Sequence, residues 1–276
     1  MSDSYPPGPN PKAKGSQKAA GRRVEAKEST GRTGSGDIQR QGSEEKRITV
    51  QSGELRCFYI NARNLISKID NLEAWVSDLA PDIIGVTESW ANCDIRDSEL
   101  ALEGYDLFRK DRPVDRAGGG VLLYVKSRLH AVEVAPFSSF PEQVWCYFLD
   151  ANNIKCHIGV CYRTPTVDIY GSHNHDLVRD ILDKLHSSQK HFLLMGDFNY
   201  RFTTWPPLHS DHNITVDSSE LANCLDDNFF TQHVDFPTRN NAILDLVISD
   251  EPHMASELTD LDLFPGSDHK ALSWKL

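Results

Sequence analysis

Eight polar residues end or interrupt apolar stretches of this chain, and their types are ones that can carry chemistry. In chain order they are Asn61, Glu88, Tyr162, Asp197, Asn199, Asp245, Asp268 and His269. Carboxylate and amide oxygens suit a hard divalent cation, a carboxylate can act as a general base, and histidine and tyrosine can donate to an anionic oxygen. A single aspartate at the end of a strand is more simply explained as a turn former or helix cap.

The stretch from His191 to Asn199 is the most suggestive of a site. Four apolar residues followed by Gly196 predict a buried strand that ends at a tight turn. Asp197 and Asn199 would then project from the end of that strand. A carboxylate and an amide held at such a position indicate a candidate site.

Asp245 differs from the other aspartates because it lies inside an apolar run. Leu244 and Leu246 flank it, and the run from 243 to 248 predicts a strand. A carboxylate on a strand of this kind requires a hydrogen-bond partner, for which a histidine would serve.

The spacing of apolar residues predicts the elements that must position these side chains. We expect strands at 54–60, 82–87, 105–110, 120–125, 129–134, 144–149, 154–162, 191–195, 243–248 and 271–275. Repeats of three and four residues predict helices at 65–79, 175–188 and 219–229, the first capped by Asn64. This order favours an α/β fold: a four-layer sandwich of two mixed, mainly antiparallel sheets with helices packed outside.

Composition separates the chain into two parts. Residues 1–48 are rich in Gly, Ser, Pro, Lys and Arg and predict a disordered polar tail, followed by one domain at 49–276. The chain shows neither a signal peptide nor a run of roughly 18 apolar residues, so we expect an intracellular protein with no membrane partner. The six cysteines contain no C-x-x-C pair, so buried, reduced thiols are expected.

Charge is distributed unevenly between these parts. The first fifty residues carry 10 basic and 6 acidic residues, whereas the rest carry 19 and 34, a net charge of −15. An acidic body lacks the basic footprint of a nucleic-acid-binding protein. This counts against DNA binding only in part, because a metal ion and local Arg or Lys residues can supply the positive field.

In order and spacing, the motifs resemble the endonuclease/exonuclease/phosphatase superfamily over about residues 54–276. They are Asn61, Thr-Glu-Ser-Trp at 87–90, Tyr-Arg-Thr-Pro at 162–165, Gly-Asp-Phe-Asn at 196–199, Leu-Asp-Leu at 244–246 and Ser-Asp-His at 267–269. Asn-Ala-Arg-Asn-Leu at 61–65 with Lys68 and Leu72, and Pro-Thr-Arg at 237–239, are similar to endonuclease domains of non-long-terminal-repeat (LINE-type) retrotransposons. Apurinic endonucleases of this superfamily have Asp where this chain has Arg63, which argues against a dedicated abasic-site repair enzyme.

The resemblance implies a metal-dependent endonuclease that nicks DNA by phosphodiester hydrolysis, leaving a 3′-hydroxyl. DNA would be the substrate, and the protein would act in the nucleus. Glu88 would hold one Mg²⁺ or Mn²⁺ with Asn61 close by, and the metal would polarise the scissile phosphate. Asp268 would assist the metal or lie near the leaving oxygen.

The resemblance also implies the catalytic roles. Asp197 would take the proton of the attacking water or orient that water, with Asn199 fixing the position of Asp197. His269, held in one tautomer by Asp245, would donate to a phosphate oxygen, and Tyr162 would donate to another.

Two other functions remain open at this point. The charge of the body favours a phosphatase or phosphodiesterase that acts on a small phosphorylated molecule or lipid. A co-opted, non-catalytic interaction module is the third possibility, although every site residue is retained. Retrotransposon polyproteins continue into a reverse transcriptase, so the chain could be an isolated, truncated or co-opted domain, and its target preference would come from the loops at 110–120 and 200–215.

Overall fold

We describe a computed structural model of the chain at residues 53–112, 118–164, 174–207 and 215–276. The chain divides into two units, Met1–Arg47 and Ile48–Leu276, and all of the described residues belong to the second. The polar tail predicted at 1–48 lies outside the described residues, as do parts of both predicted specificity loops. No helix in the described part is long and apolar enough to span a bilayer.

The described residues form strands and four α-helices. The strands are β1 (Arg56–Asn61), β2 (Ile83–Thr87), β3 (Tyr105–Lys110), β4 (Val121–Lys126), β5 (Val132–Glu133), β6 (Gln143–Leu149), β7 (Lys155–Tyr162), β8 (His191–Phe202), β9 (Thr231–Gln232), β10 (Ile243–Ser249), β11 (Ser256–Leu263) and β12 (Lys270–Lys275). The helices are α1 (Ile69–Leu79), α2 (Asp97–Leu100), α3 (Asn174–Ser187) and α4 (Val216–Asp227).

These strands make two six-stranded sheets, ordered β11-β12-β1-β2-β4-β3 and β5-β6-β7-β8-β10-β9. Only β1–β2 and β7–β8 are parallel among the described strand pairs. The prediction of two mixed, mainly antiparallel sheets is therefore confirmed. Because strand side chains alternate between faces, β1 buries Tyr59 in the core shared with the other sheet and Phe58 in a second cluster with Leu72 of α1. Helix α4 packs on β8 of the second sheet and contacts α3.

The two parallel pairs explain why distant motifs meet. In the first sheet Asn61 at the end of β1 pairs with Thr87 at the end of β2, directly before Glu88. In the second sheet Tyr162 at the end of β7 pairs with Asp197 of β8. Parallel strands present their carboxyl ends at one edge of a sheet. The fold therefore delivers polar residues from both sheets to one edge of the sandwich.

The turn predicted at Gly196 is wrong, because β8 runs without interruption from His191 to Phe202. A Cβ atom on Gly196 would lie 1.8 Å from the carbonyl oxygen of Cys161 on β7. Glycine is therefore required for the close approach of two neighbouring strands, and Asp197 and Asn199 lie within a strand. Opposite them, the register of the β8–β10 pair shifts between Ile243 and Asp245, and the extra residues lie on β8, between Asp197 and Phe202.

Other boundaries differ from expectation for local reasons. Asn64 does not cap α1, which begins at Ile69 after a 3₁₀ turn at Ile66–Lys68. The strand predicted at 129–134 contracts to Val132–Glu133, and α4 begins at Val216, earlier than predicted. The polar, largely exposed edge strand β11 was not predicted, because it has no apolar run. The helix expected at 175–188 is confirmed.

Candidate active site

Asp197, Asp245 and His269 form a buried cluster at this edge. One potential ligand atom of each lies within 4.8 Å of the others. Asp197 and Asp245 are opposite each other across the β8–β10 pair, and His269 directly precedes β12. The structure therefore brings together three of the predicted catalytic residues, which lie far apart in the sequence.

His269 is fixed through both its side chain and its backbone. Its Nδ1 lies 2.7 Å from Oδ2 of Asp245, and its backbone N–H donates to Oγ of Ser267 at 3.1 Å. The Ser267 hydroxyl in turn donates to the carbonyl of Asn61 at 2.7 Å. Burial acts to lower the pKa of His269, but the charge and hydrogen bond of Asp245 outweigh it and raise that pKa to about 9. The imidazole is therefore a protonated donor at neutral pH.

The second oxygen of Asp245 is also engaged. Tyr59 donates its hydroxyl hydrogen to Oδ1 of Asp245 at 2.8 Å, and its oxygen lies 2.8 Å from Oγ1 of Thr87. The backbone N–H of Asp245 donates to Oγ1 of Thr238 at 3.1 Å. Burial and the charge of Asp245 raise the pKa of Tyr59, so the phenol stays protonated and remains a donor. Asp245 is therefore held in one orientation for His269.

Asp197 receives a hydrogen bond at each carboxylate oxygen. The side-chain amide of Asn61 donates to Oδ2 at 2.9 Å, and the backbone N–H of Asn199 donates to Oδ1 at 3.1 Å. Oδ2 also lies 4.0 Å from Nε2 of His269. Burial, and then the charge of Asp245, raise the pKa of Asp197 well above its usual range, while His269 opposes them. A raised pKa makes this carboxylate a stronger base than an exposed aspartate.

Asn199 positions the backbone beside Asp197. It has a φ of 52°, in the left-handed region that asparagine tolerates better than most residues. Its side-chain amide donates to the carbonyl of Arg163 at 2.8 Å, and the N–H of Arg163 donates to the carbonyl of Asp197 at 2.9 Å. Asn199 therefore anchors the bulged part of β8 to the chain beyond β7.

Glu88 lies on the more open side of the site. Its Oε1 accepts from the amide of Asn61 at 3.2 Å and from the hydroxyl of Tyr162 at 3.1 Å. Its Oε2 accepts only a long hydrogen bond of 3.4 Å, from Nε1 of Trp90, among the hydrogen bonds of the described residues. Burial and the charge of Glu88 raise the pKa of Tyr162, so this phenol is also a protonated donor.

The donor set around Glu88 suits a hard divalent cation. Mg²⁺ is usually bound through one or two carboxylates and retains several waters. Glu88 supplies a partly exposed carboxylate whose Oε2 is weakly engaged, and Asn61 holds the other oxygen. Asn61 also accepts the N–H of Arg63 at its Oδ1, at 3.1 Å, so its amide is oriented toward Glu88 and Asp197. These residues fit a metal site centred on Glu88.

Asp268 lies on the rim, in a different environment from the buried cluster. Its Oδ1 lies 3.3 Å from Arg63, and its Oδ2 lies 2.6 Å from Arg239. Burial acts to raise the pKa of Asp268, but the hydrogen bond and charge of Arg239 outweigh it and lower that pKa. Among the described hydrogen bonds and ion pairs, none joins Asp268 to Glu88 or Asn61.

Tyr59 and Thr238 belong to the site, although no sequence pattern predicted a role for either. Tyr59 resembles an ordinary core aromatic residue within an apolar strand. One signal was present: Tyr59 is two residues before Asn61, and the two-residue period of a strand places both on one face. Thr238 lies in a motif that supported the resemblance, but nothing local shows that its hydroxyl accepts from the backbone of β10.

Solved structures share this fold at low sequence identity. The endonuclease domain of TRAS1, a telomere-specific non-LTR retrotransposon, is 13% identical with a TM-score of 0.62, covering 80% of this chain and 98% of that one. The AP endonuclease LMAP from Leishmania major is 12% identical with a TM-score of 0.62, covering 81% and 87%. The 3′ phosphatase NExo from Neisseria, bound to a product DNA hairpin, is 13% identical with a TM-score of 0.60, covering 80% and 98%.

Sequence comparison gives the family. No curated protein matches this chain. The model of the Endonuclease/Exonuclease/phosphatase family matches residues 55–269, a span that includes every residue of the cluster described above. A match over most of the chain, joined to the shared fold, shows that this chain belongs to the endonuclease/exonuclease/phosphatase family.

Proposed function

We propose that this chain is a metal-dependent endonuclease that nicks DNA by phosphodiester hydrolysis and leaves a 3′-hydroxyl. The observation that carries the proposal is the meeting of a general-base candidate, Asp197, with a protonated donor, His269, beside the open carboxylate of Glu88. The resemblance to retrotransposon endonucleases supports DNA as the substrate and target-site nicking as the role. TRAS1, whose endonuclease domain shares this fold, is itself described as such a retrotransposon.

In this proposal Glu88 holds Mg²⁺ or Mn²⁺, with Asn61 orienting the carboxylate. The metal, when bound, polarises the phosphate and offsets charge that develops in the transition state. Asn61 has a second task, because the same amide donates to Oδ2 of Asp197. It therefore couples the position of the general base to that of the metal-binding carboxylate.

Asp197 acts as the base that takes a proton from the attacking water. Burial and the nearby charge of Asp245 raise its pKa, which makes this carboxylate a stronger base than an exposed aspartate. Asn199 and Asn61 restrain its two oxygens, so the carboxylate keeps one orientation. Preorganisation of this kind removes the cost of reorienting the base during the reaction.

His269 and Tyr162 act as donors to non-bridging phosphate oxygens. With Nδ1 of His269 bonded to Asp245, the proton on Nε2 is available to the substrate. Tyr162 donates to Glu88 in the free protein and would turn toward a phosphate oxygen when substrate binds. Both groups stay protonated at neutral pH, as a donor to an anion must.

The test is nicking of supercoiled plasmid with Mg²⁺, with Mn²⁺ and with EDTA. We expect open circles only with metal, and extension of the nick by a DNA polymerase would show the 3′-hydroxyl. The D197N variant should nick about 10² to 10⁴-fold more slowly. A matched control is D250N, which alters an aspartate about 17 Å along the strand pair from Asp197. Folded wild-type protein that leaves the plasmid intact with metal would exclude the proposal.

The negative charge of the chain after residue 50 favours a second candidate function. The net charge of −15 outside the first fifty residues suits a small phosphorylated molecule or lipid better than duplex DNA. Competition between duplex DNA and inositol phosphates for turnover separates the two functions, since only the preferred substrate should inhibit cleavage of the other at low concentration. A folded protein that turns over neither would support a non-catalytic interaction module.

A further inference from the structure

Asp268 and two arginines form an ion-pair cluster on the rim of the site. Each carboxylate oxygen contacts a different guanidinium: Oδ1 lies 3.3 Å from Nη1 of Arg63, and Oδ2 lies 2.6 Å from Nη2 of Arg239. The side chains of Arg63, Arg239 and Asp268 are 52%, 37% and 38% exposed. The cluster carries a net charge of +1 and remains open to solvent, in a domain that is otherwise strongly acidic.

The backbone of both arginines is fixed by hydrogen bonds close to the candidate site. Arg63 is two residues beyond Asn61, donates its N–H to the side chain of Asn61, and accepts from Nζ of Lys68 at its carbonyl at 2.8 Å. Arg239 exchanges backbone hydrogen bonds with Ala242 at 3.1 and 3.0 Å, just before β10. Asp268 is adjacent to His269. The two guanidinium groups therefore border the cluster of Asp197, Asp245 and His269.

A carboxylate paired twice in this way is poorly suited to bind a metal ion. A cation would have to displace two guanidinium groups, one of them at 2.6 Å. Glu88 offers an oxygen with only one long hydrogen bond and needs no such exchange. The arrangement is better suited to positioning, because Asp268 draws two long and otherwise mobile side chains to one point.

We propose that Arg63 and Arg239, held together by Asp268, form a binding subsite for a backbone phosphate next to the scissile one. This rests on the proposed function, since the ligand is a phosphodiester of the DNA substrate. Guanidinium groups present several N–H donors in a plane and bind phosphate in a bidentate manner. Each arginine has further donors beyond the one that contacts Asp268. Asp268 is then a positioning residue rather than a metal ligand.

The first measurement is binding of a short fluorescein-labelled DNA duplex by fluorescence anisotropy. It uses the D197N background without metal, so that no cleavage occurs, at about 50 to 200 mM salt. Replacing both arginines, R63A/R239A, should weaken binding about tenfold to a hundredfold. The slope of log affinity against log salt should fall by roughly 1, as expected for a lost phosphate contact. R63K/R239K, which keeps charge but not the planar fork, should recover only part of the affinity.

Arg128 provides a matched control. It pairs with Asp82 at 2.7 Å and is 54% exposed, but it lies beside the start of β2, about 20 Å from Glu88 along that strand. R128A removes an exposed arginine that pairs with a carboxylate at the opposite edge. It should change neither affinity nor salt slope. Under turnover conditions, R63A/R239A should raise KM and leave kcat nearly unchanged, because the subsite binds without touching the reacting atoms.

The second measurement separates positioning from metal binding. Mn²⁺ binding followed by electron paramagnetic resonance should be unchanged in D268N and weakened in E88Q. D268N should also lower DNA affinity, because the two arginines lose their common anchor. Weaker Mn²⁺ binding by D268N, or R63A/R239A behaviour equal to that of R128A, overturns the inference. A wild-type protein that neither binds nor nicks DNA would contradict the proposed function instead, so the two failures are distinguishable.

Discussion

Two histidine–aspartate pairs lie at opposite ends of the β8–β10 strand pair, one at the candidate site, where the histidine comes from the segment before β12, and one at the far end. Nδ1 of His269 lies 2.7 Å from Asp245, and the two side chains are 3% and 0% exposed. Nδ1 of His191 lies 3.0 Å from Asp250, with 26% and 23% exposed. We call these the inner pair and the outer pair. Their chemical composition is the same, and both histidines have a raised pKa.

The difference between the pairs lies in what surrounds them. In the inner pair, Tyr59 and Thr238 satisfy the remaining polar atoms of Asp245, and Asp197 faces His269. In the outer pair, Asp250 also accepts the N–H of Phe192 at 2.8 Å, and Nδ1 of His191 lies 3.8 Å from Glu251. The pair lines an open cavity of about 690 Å³. Buried neighbours fix geometry and exclude water, whereas solvent screens an exposed pair. Surroundings therefore distinguish a candidate catalytic pair from a surface ion pair.

The largest expected effect is on the nicking rate, and it tests whether the inner pair and the outer pair differ in function. We expect H269Q to lower the nicking rate about 10² to 10⁴-fold, because a protonated donor to the phosphate is lost. H191Q should leave the rate unchanged, because the outer pair lies about 20 Å along the strand from Asp197. Plasmid nicking under single-turnover conditions measures both variants. Equal losses in the two would show that the inner pair has no special role.

A smaller effect tests whether the inner pair depends on its buried neighbours. In Y59F, Oδ1 of Asp245 loses its donor while remaining buried, so the free energy of unfolding should fall by about 1 to 3 kcal/mol. The control is Y124F, which removes a buried hydroxyl that donates to the carbonyl of Leu100 at 2.8 Å. Denaturant unfolding measures stability, and nicking measures function.

Y59F should also lower the nicking rate, because Asp245 then orients His269 less firmly, and Y124F should not. Stability and activity that fall equally in the two variants would mean that Tyr59 serves the core alone.

Much of the inner pair could be predicted from sequence, but its supports could not. The order of the motifs indicated the family, and the apolar residues around Asp245 predicted a buried carboxylate with a histidine partner. Tyr59 was missed because its contact with Asp245 joins residues of two different sheets. Periodicity describes which face a side chain occupies, and it carries no information about which distant group faces it.

Two other features depended on contacts between distant segments. Gly196 satisfied the local signal for a turn, yet its purpose is to let the carbonyl of Cys161 approach from the neighbouring strand. The motif that contains Asp268 gave no sign of its ion pairs with Arg63 and Arg239, which come from two distant segments, and its predicted role near the metal or the leaving oxygen stays a prediction. Local rules succeeded where residues act within their own element and failed where the partner comes from elsewhere in the chain.

The smallest effect concerns the outer pair and the pH dependence of stability. The hydrogen bond that Nδ1 of His191 donates to Asp250 raises the pKa of His191 against the opposing effect of burial. A histidine with a raised folded-state pKa contributes stability that is fully present below its unfolded pKa, about 6.5, and is lost as pH rises through the folded value.

The D250N variant tests this contribution, because it removes the charge of Asp250 but keeps an oxygen for the N–H of Phe192. Near pH 5.5 the free energy of unfolding of the wild type should exceed that of D250N by less than about 1 kcal/mol, because the pair is partly exposed. Above the folded-state pKa of His191 this difference should be smaller. Thermal unfolding of both proteins across this range measures the difference. A gap that is constant or grows with pH would mean that Asp250 stabilises the fold through its backbone contact alone.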